Sequence, residues 1–200
     1  MLAYYGGEFP AVEINNTFYH LPSAATVAGW KAHFRFAIKC PQAITHVRRL
    51  RDCGEPLRAL VAVTADLGVQ RGPLLAQLPP YLRVDVPLLD DFLALVPAGV
   101  RITVEFRHDS WFTDAVHAVL AKHGAALCLA ESDDLATLPV ATIGWGYLRL
   151  RRTRYTRPHL ARWATVLAEQ AWDEAMVCFK HEDTATGPQY AKRLLEEWTR

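Results

Sequence analysis

The sequence predicts an α/β fold, a β/α barrel built from parallel strands. Short, near-continuously apolar segments alternate with segments of helical period. Strands of that kind are covered on both faces, as in a doubly wound sheet or a β/α barrel. Nearly every strand also ends on a polar or charged residue: Asn15, Lys39, Gln77, Arg107, Glu131, Arg149 and Lys180. Functional groups at the carboxyl ends of many strands mark a barrel with a shared mouth. No G-x-G-x-x-G or G-x-x-x-x-G-K-[ST] follows a strand, which argues against a dinucleotide or P-loop fold.

Met1 to Phe9 has Leu2, Tyr5 and Phe9 at helical spacing, broken by Gly6-Gly7. Val12-Glu13-Ile14-Asn15 is the first strand. Ser23 is a fair N-cap for a helix from Ala24 to His33. Phe34 to Lys39 is the second strand, ended by Cys40-Pro41, and Ile44-Thr45-His46 falls in a loop. Asp52 to Asp66 reads as a helix through Leu57, Leu60, Val61 and Thr64. Pro73 to Leu78 is the third strand, stopped by Pro79-Pro80, and Leu88 to Leu95 is a helix.

Arg101 to Phe106 is the fourth strand. Ile102, Val104 and Phe106 alternate with Thr103, Glu105 and Arg107, so one face is apolar and the other carries a carboxylate and a guanidinium. Thr113 to His123 is a helix closed by Gly124. Ala126 to Ala130 is the fifth strand, followed by an irregular link, and Gly146 to Leu150 is the sixth. A helix over 158–171 turns Leu160, Trp163, Ala164 and Leu167 to one side. Ala175 to Lys180 is the seventh strand, and apolar spacing predicts a last helix from Pro188 to Trp198.

The 200 residues suit a single barrel domain, and half of them are hydrophobic, enough for a large core. A net charge of +1 gives no global pull toward nucleic acid or an anionic membrane. Arg48, Arg49 and Arg51 form one basic cluster, and Arg149, Arg151, Arg152, Arg154 and Arg157 another. Solvated surface is the ordinary explanation of both; phosphate binding suits the second better, since it starts inside a strand. Cys40, Cys53, Cys128 and Cys178 lack C-x-x-C spacing, so they read as reduced thiols of a cytoplasmic protein rather than a zinc site. No signal peptide and no apolar run of spanning length is present.

Parity assigns Glu13, Asn15, Lys39, Gln77, Glu105, Arg107, Glu131, Arg149 and Lys180 to the barrel interior or mouth. Burying a charge costs several kcal/mol, about 3–5 when its partner is removed, so such groups pair with each other or serve a ligand. A purely structural reading is a satisfied ion network. The functional reading makes Glu105 the acid/base, with Lys39, Glu13 and His108 as further catalytic candidates. Arg107, Arg149 and Lys180 then clamp an anion, with Asn15, Tyr19, Gln77 and Trp111 as substrate-binding candidates. Phe18, Tyr19 and Trp111 follow strand ends and can stack on a sugar or base, or simply pack the rim. His46, His108 and His181, with Glu105, Glu131, Glu182 or Asp183, lack any fixed metal-binding spacing, so no metal site and no cofactor is assigned.

Five blocks are recognisable in order: Val12-Glu13-Ile14-Asn15-Asn16-Thr17-Phe18-Tyr19; Phe36-Ala37-Ile38-Lys39-Cys40-Pro41 with Ile44-Thr45-His46; Gln77-Leu78-Pro79-Pro80; Val104-Glu105-Phe106-Arg107-His108 with Ser110-Trp111-Phe112; and Phe179-Lys180-His181-Glu182. Together they resemble the DUF72 family, also called YecE-like proteins, along essentially the whole chain. The resemblance implies a TIM-like β/α barrel and supplies no reaction. Members normally open with a strand resembling Gly-Thr-Ser-Gly-Trp-Ser-Tyr, absent here. The expectation is therefore an N-terminally shortened member, by a misplaced start or a real deletion, with seven visible strands. The function expected is an enzyme acting on a small anionic metabolite (phosphorylated, carboxylated or sugar-like) at the carboxyl-terminal mouth. The alternative is a non-catalytic binder of a ligand or nucleic acid that uses the same basic and aromatic rim. No membrane partner is expected.

Overall fold

The computed structural model describes residues 7–30, 34–180 and 186–198. Among the described residues it holds seven strands, β1 Ala11–Ile14, β2 Arg35–Lys39, β3 Arg71–Gln77, β4 Ile102–Glu105, β5 Ala126–Glu131, β6 Trp145–Leu150 and β7 Glu174–Phe179. Between or after them lie α1 Ala24–Ala28, α2 Gly54–Val63, α3 Val86–Ala94, α4 Asp114–Lys122, α5 Arg157–Glu169 and α6 Thr186–Trp198. Parallel strands in sequence order with helices between them make this an α/β fold of the TIM-like barrel class. The chain forms two compact units, Met1–Ala125 and Ala126–Arg200. The helical spacing read over Met1 to Phe9 falls mostly outside the described residues.

In the first unit β1, β2, β3 and β4 pair in that order, all parallel. All four residues of β4 are buried, and so are Phe36, Ala37 and Ile38 of β2 and Leu74, Leu75 and Ala76 of β3. Burial on both faces explains why the middles of β2 and β3 carry no polar residue. Trp30 stacks on Phe36 at 5.7 Å, and Phe34 lies against the same ring at 4.7 Å. Three helices of this unit, α1, α3 and α4, start where the sequence offers an acceptor to their free N–H groups. Ser23 caps α1 by accepting from the Thr26 amide, Asp85 caps α3 through Leu88, and Thr113 caps α4 through Val116. Gly124 takes φ +63°, the left-handed conformation that ends α4.

Three expected elements differ. The helix read over Ala24 to His33 ends at Ala28, with Gly29 as its C-cap and Trp30 in the turn that follows. The helix read over Asp52 to Asp66 runs only from Gly54 to Val63. Asp52 has φ +50° and cannot extend it backwards, and the Thr64 hydroxyl donates to the Leu60 carbonyl at 2.7 Å and closes it. A separate 3₁₀ segment, Ala65–Gln70, follows. Ile44-Thr45-His46, read as a loop, lies in a π-helical turn over Ala43–Val47. A wide i→i+5 turn has no short sequence signature and is common at functional sites.

In the second unit β5, β6 and β7 pair in order and parallel. The irregular link after β5 runs back along it. Ala130 donates to the Thr137 hydroxyl at 3.3 Å, Thr137 donates to the Ala130 carbonyl at 3.0 Å, and Leu127 donates to the Thr142 hydroxyl at 3.2 Å. Two threonines thus satisfy strand amides. α5 buries Leu160, Trp163, Ala164 and Leu167, the face its spacing predicts. α6 starts close to the end of β7, where a side chain on Gly187 would stand 2.7 Å from the Lys180 carbonyl oxygen. No helix among the described residues is long and apolar enough to cross a membrane.

Candidate functional site

Register sets which side chains of the first unit share a level. Lys39 pairs with Leu75, and Leu75 with Thr103; the next level on the same face pairs Gln77 with Glu105. Glu13 pairs with Ala37, two residues before Lys39. Two residues of strand span about 6.6 Å, so Glu13 lies one level deeper than Lys39. Glu13 is half-buried and accepts a hydrogen bond from Asn15 Nδ2 at 2.8 Å, which aims the amide back along the strand.

At the end of β4, Glu105 is fully buried and ion-paired with Arg107 Nε. Alternation in an extended chain places both on one side. Arg107 retains 21% side-chain exposure, so its guanidinium connects the buried carboxylate to solvent. Thr103, one level deeper, is also buried, and Gln77 lies across from Glu105, half-buried.

The ends of β1 and β2 are tied together by Thr17. Its hydroxyl donates to the Lys39 carbonyl at 2.7 Å and also lies 3.1 Å from the Ile14 carbonyl. This fixes the turn Asn16–Phe18 and sets the Phe18 ring beneath Lys39 Nζ, 4.3 Å from the ring centre. His46 meets the same ring edge-on at 4.9 Å, and its Nδ1 bonds the Thr45 hydroxyl at 2.8 Å. Burial, aided by the Lys39 ammonium, holds the His46 imidazole below its ordinary value. A cation and a neutral imidazole therefore share one aromatic ring. Cys40 follows Lys39 inward; burial pushes its thiol up to about 12, which makes it inert at neutral pH.

His108 caps the turn Asp109–Trp111, its Nδ1 accepting from the Ser110 amide at 3.1 Å. That use leaves Nε2 as its other ring nitrogen. Tyr19 is 62% exposed and stands edge-on to Phe18. Trp111 corrects an expectation: it is fully buried, donates from Nε1 to the Leu82 carbonyl at 2.7 Å, and stacks on Phe106 at 4.7 Å. Its faces and its N–H are taken by the protein, so it is a packing wedge rather than an open stacking surface.

The second unit contains Arg149, buried at the level of Ala130 and Cys178. Glu131 is level with Leu150, on the opposite face from Arg149. The inward placement of Glu131 is thus corrected. β5 is apolar on both faces, so its pattern carries no phase from which to read direction. Glu131 turns toward α5, where Arg162 donates to Oε1 at 2.7 Å and Trp163 Nε1 to Oε2 at 2.8 Å. Tyr155 is buried nearby, and burial pushes its phenol far up. Lys180 is exposed just past β7, and Thr153 holds the Asp133 carboxyl below its ordinary value through side-chain and backbone hydrogen bonds. Arg152 lies beside Glu131 and Asp133, and Arg157 pairs with Glu197 at 2.7 Å, so part of this basic cluster is engaged within the unit.

The loop after β2 also carries Arg48, Arg49 and Arg51, all exposed. Arg49, Leu50 and Asp52 take φ +51°, +70° and +50°. Each left-handed non-glycine residue costs about 1–3 kcal/mol and persists only where its surroundings enforce it. Leu50, 2% exposed, is the anchor, with its amide bonded to the Ile44 carbonyl at 3.0 Å.

Thr17, Thr45 and Phe18 as a shared ring are the parts that sequence reading missed. A threonine in the short turn three residues past the end of β1 was the available signal for the first. No group of three His, Cys, Asp or Glu side chains among the described residues is arranged to hold a metal ion. His181, Glu182 and Asp183 lie outside the described residues.

No curated protein matches the chain. Among solved structures it is similar to a DUF72 family protein from Enterococcus faecalis V583, with a TM-score of 0.83 at 16% identity, covering 100% of this chain and 94% of that one. It is also similar to a DUF72 family protein from Thermotoga maritima MSB8, with a TM-score of 0.75 at 22% identity, covering 96% of this chain and 84% of that one. At these identities the likeness shows the fold. The family model described as "Protein of unknown function DUF72" matches residues 1–200, and the chain belongs to that family.

Proposed function

We propose that the chain is an enzyme acting on a small anionic metabolite (phosphorylated, carboxylated or sugar-like) bound at the carboxyl ends of its strands. The observation that carries this reading is Glu105, a fully buried carboxylate at a strand end, paired with a partly exposed Arg107. Strand-end positions are where barrel enzymes place their chemistry. Glu105 is the acid/base, and Lys39 is its electrostatic partner in the same unit. His46, held below its ordinary value by burial, is available as a proton acceptor. Glu13 and His108 stay as supporting catalytic candidates. Arg107 is the anion-binding guanidinium of the first unit, with Asn15, Tyr19 and Gln77 contacting the rest of the substrate. Arg149 and Lys180 are proposed as anion-binding cations of the second unit. Hydrolase, lyase and isomerase chemistry all use this set.

Residues 1–200 are proposed as one domain in the cytoplasm, supported by the span of the family match and by four free cysteines. A single calorimetric transition supports the domain reading, and two separate transitions reject it.

The test of the enzyme reading is a screen of phosphorylated and carboxylated metabolites for turnover, with Glu105→Gln beside the parent chain. Turnover that drops by about 10²–10⁴ in the variant supports it. Turnover unchanged in Glu105→Gln rejects the site. A second reading, a non-catalytic binder, is favoured by the exposure of Tyr19 and Tyr81, 62% and 59%, which leaves aromatic surface free for contact. Saturable binding with no turnover of any bound compound selects it.

A further inference from the structure

The loop Val47–Asp52 and the stretch Tyr81–Asp85 meet at the carboxyl-terminal ends of β2 and β3. Arg49 lies over the Tyr81 ring, 5.4 Å from its centre, and Arg51 pairs with Asp85 at 3.1 Å. Arg83 sits exposed between those two contact residues. Arg48 Nη1 donates to the Asp52 carbonyl at 3.0 Å, which closes the loop on itself. Four guanidinium groups, Arg48, Arg49, Arg51 and Arg83, face two carboxylates, Asp52 and Asp85, so two positive charges are in surplus.

The loop is built. Leu50 is sunk in the core, flanked by Arg49 and Arg51 at the surface, and the three left-handed residues turn the chain sharply around it. The Cys53 thiol is buried against the Arg51 carbonyl at 3.3 Å and the Ile44 carbonyl at 3.7 Å. Ordinary solvated arginines need no such frame, since any flexible loop displays them. Strained backbone held by its surroundings is the mark of a positioned group.

We infer that Arg49 and Arg83, framed by the strained loop at Leu50 and by Tyr81, form a binding site for a phosphate ester or diphosphate of a small molecule. This rests on the proposed reading of a small anionic ligand and names its class. Two surplus charges match the charge of one phosphate monoester, and the guanidinium fork matches its oxygens in pairs. A nucleic-acid strand would call for a longer basic track with several phosphate contacts.

The experiment titrates the full chain with inorganic pyrophosphate by calorimetry, and with a single-stranded 12-nucleotide DNA by anisotropy. The expected result is saturable pyrophosphate binding, weakened about tenfold or more by Arg49→Ala and by Arg83→Ala. Arg49→Lys falls between, because it keeps the charge and loses the fork. Arg58→Ala, which removes an exposed partner of Glu55 on α2, leaves binding unchanged. The enzyme reading is judged by turnover in Glu105→Gln and this site by pyrophosphate binding in Arg49→Ala and Arg83→Ala, so loss of one and loss of the other are told apart. Absence of saturable binding, or binding that survives both alanine variants in folded protein, overturns the site. Tighter binding to the DNA with a steep salt dependence overturns the choice of a small ligand.

Discussion

Glu105 and Glu131 end a strand in different units, and both are buried, at 0% and 3% exposure. Their surroundings differ. Glu131 faces α5, and Arg162 and the Trp163 indole each take one of its oxygens. It fastens a helix to a strand. Glu105 faces the side that also carries Gln77, with Arg107 leading from it toward solvent. A buried charge alone therefore does not mark a functional site. The face it occupies, and whether a helix closes over both of its oxygens, separate a fastener from a candidate catalyst.

The sharpest way to break this contrast is a paired substitution. Glu105→Gln is expected to lower turnover by about 10²–10⁴ while leaving most of the stability. Glu131→Gln should do the reverse, and equal turnover losses in the two variants would collapse the distinction. Trp111→Ala comes next: removing a fully buried indole costs about 3–5 kcal/mol of stability in denaturant unfolding. A variant that keeps its stability but loses ligand would return Trp111 to the substrate side. Glu131→Ala leaves the Trp163 N–H buried without its acceptor and costs about 1–3 kcal/mol, read from the same unfolding curves.

A smaller effect separates the histidine at the site from an acid at the surface. His46 has its folded-state pKa depressed below 6.5. Its contribution is therefore fully present above the unfolded pKa of 6.5 and is lost as pH falls below it. Melting temperature measured from pH 8 to pH 5 should fall less in His46→Gln than in the parent; identical slopes would mean the imidazole is not desolvated. Asp90 is the surface control in the first unit. Lys122 Nζ bonds both its oxygens, at 2.7 and 2.8 Å, and His123 Nε2 lies 2.6 Å from one of them. These contacts, Lys122 first, hold its carboxyl below 3.8, so the stability they add is present above that pH and disappears as pH falls through the depressed pKa. Asp90→Asn should melt slightly earlier at pH 7 and match the parent in strong acid, the smallest change in the series.

Much of this was legible before any fold was in view. The seven strands and most helix ends follow from apolar runs, caps and Gly124, each of which acts within a few residues. Glu105, Arg107 and Gln77 on one face follow from alternation along β3 and β4. The same logic misplaced Glu131, because β5 has no polar residue before its end to set a phase. Trp111 was read from its position after a strand, whereas its use was decided by Phe106 and the distant Leu82 carbonyl.

By itself the sequence determined the order and type of the elements, since hydrophobic period, capping and turn residues are local properties of the chain. Tertiary structure alone decided which strand-end groups meet. Thr17 reaches the Lys39 carbonyl across 22 residues of sequence, Phe18 is thereby shared by Lys39 and His46, and Arg49 finds Tyr81 in another loop. Those partners are set by strand register and by where buried residues such as Leu50 anchor a loop, and neither quantity is written within the span of one element.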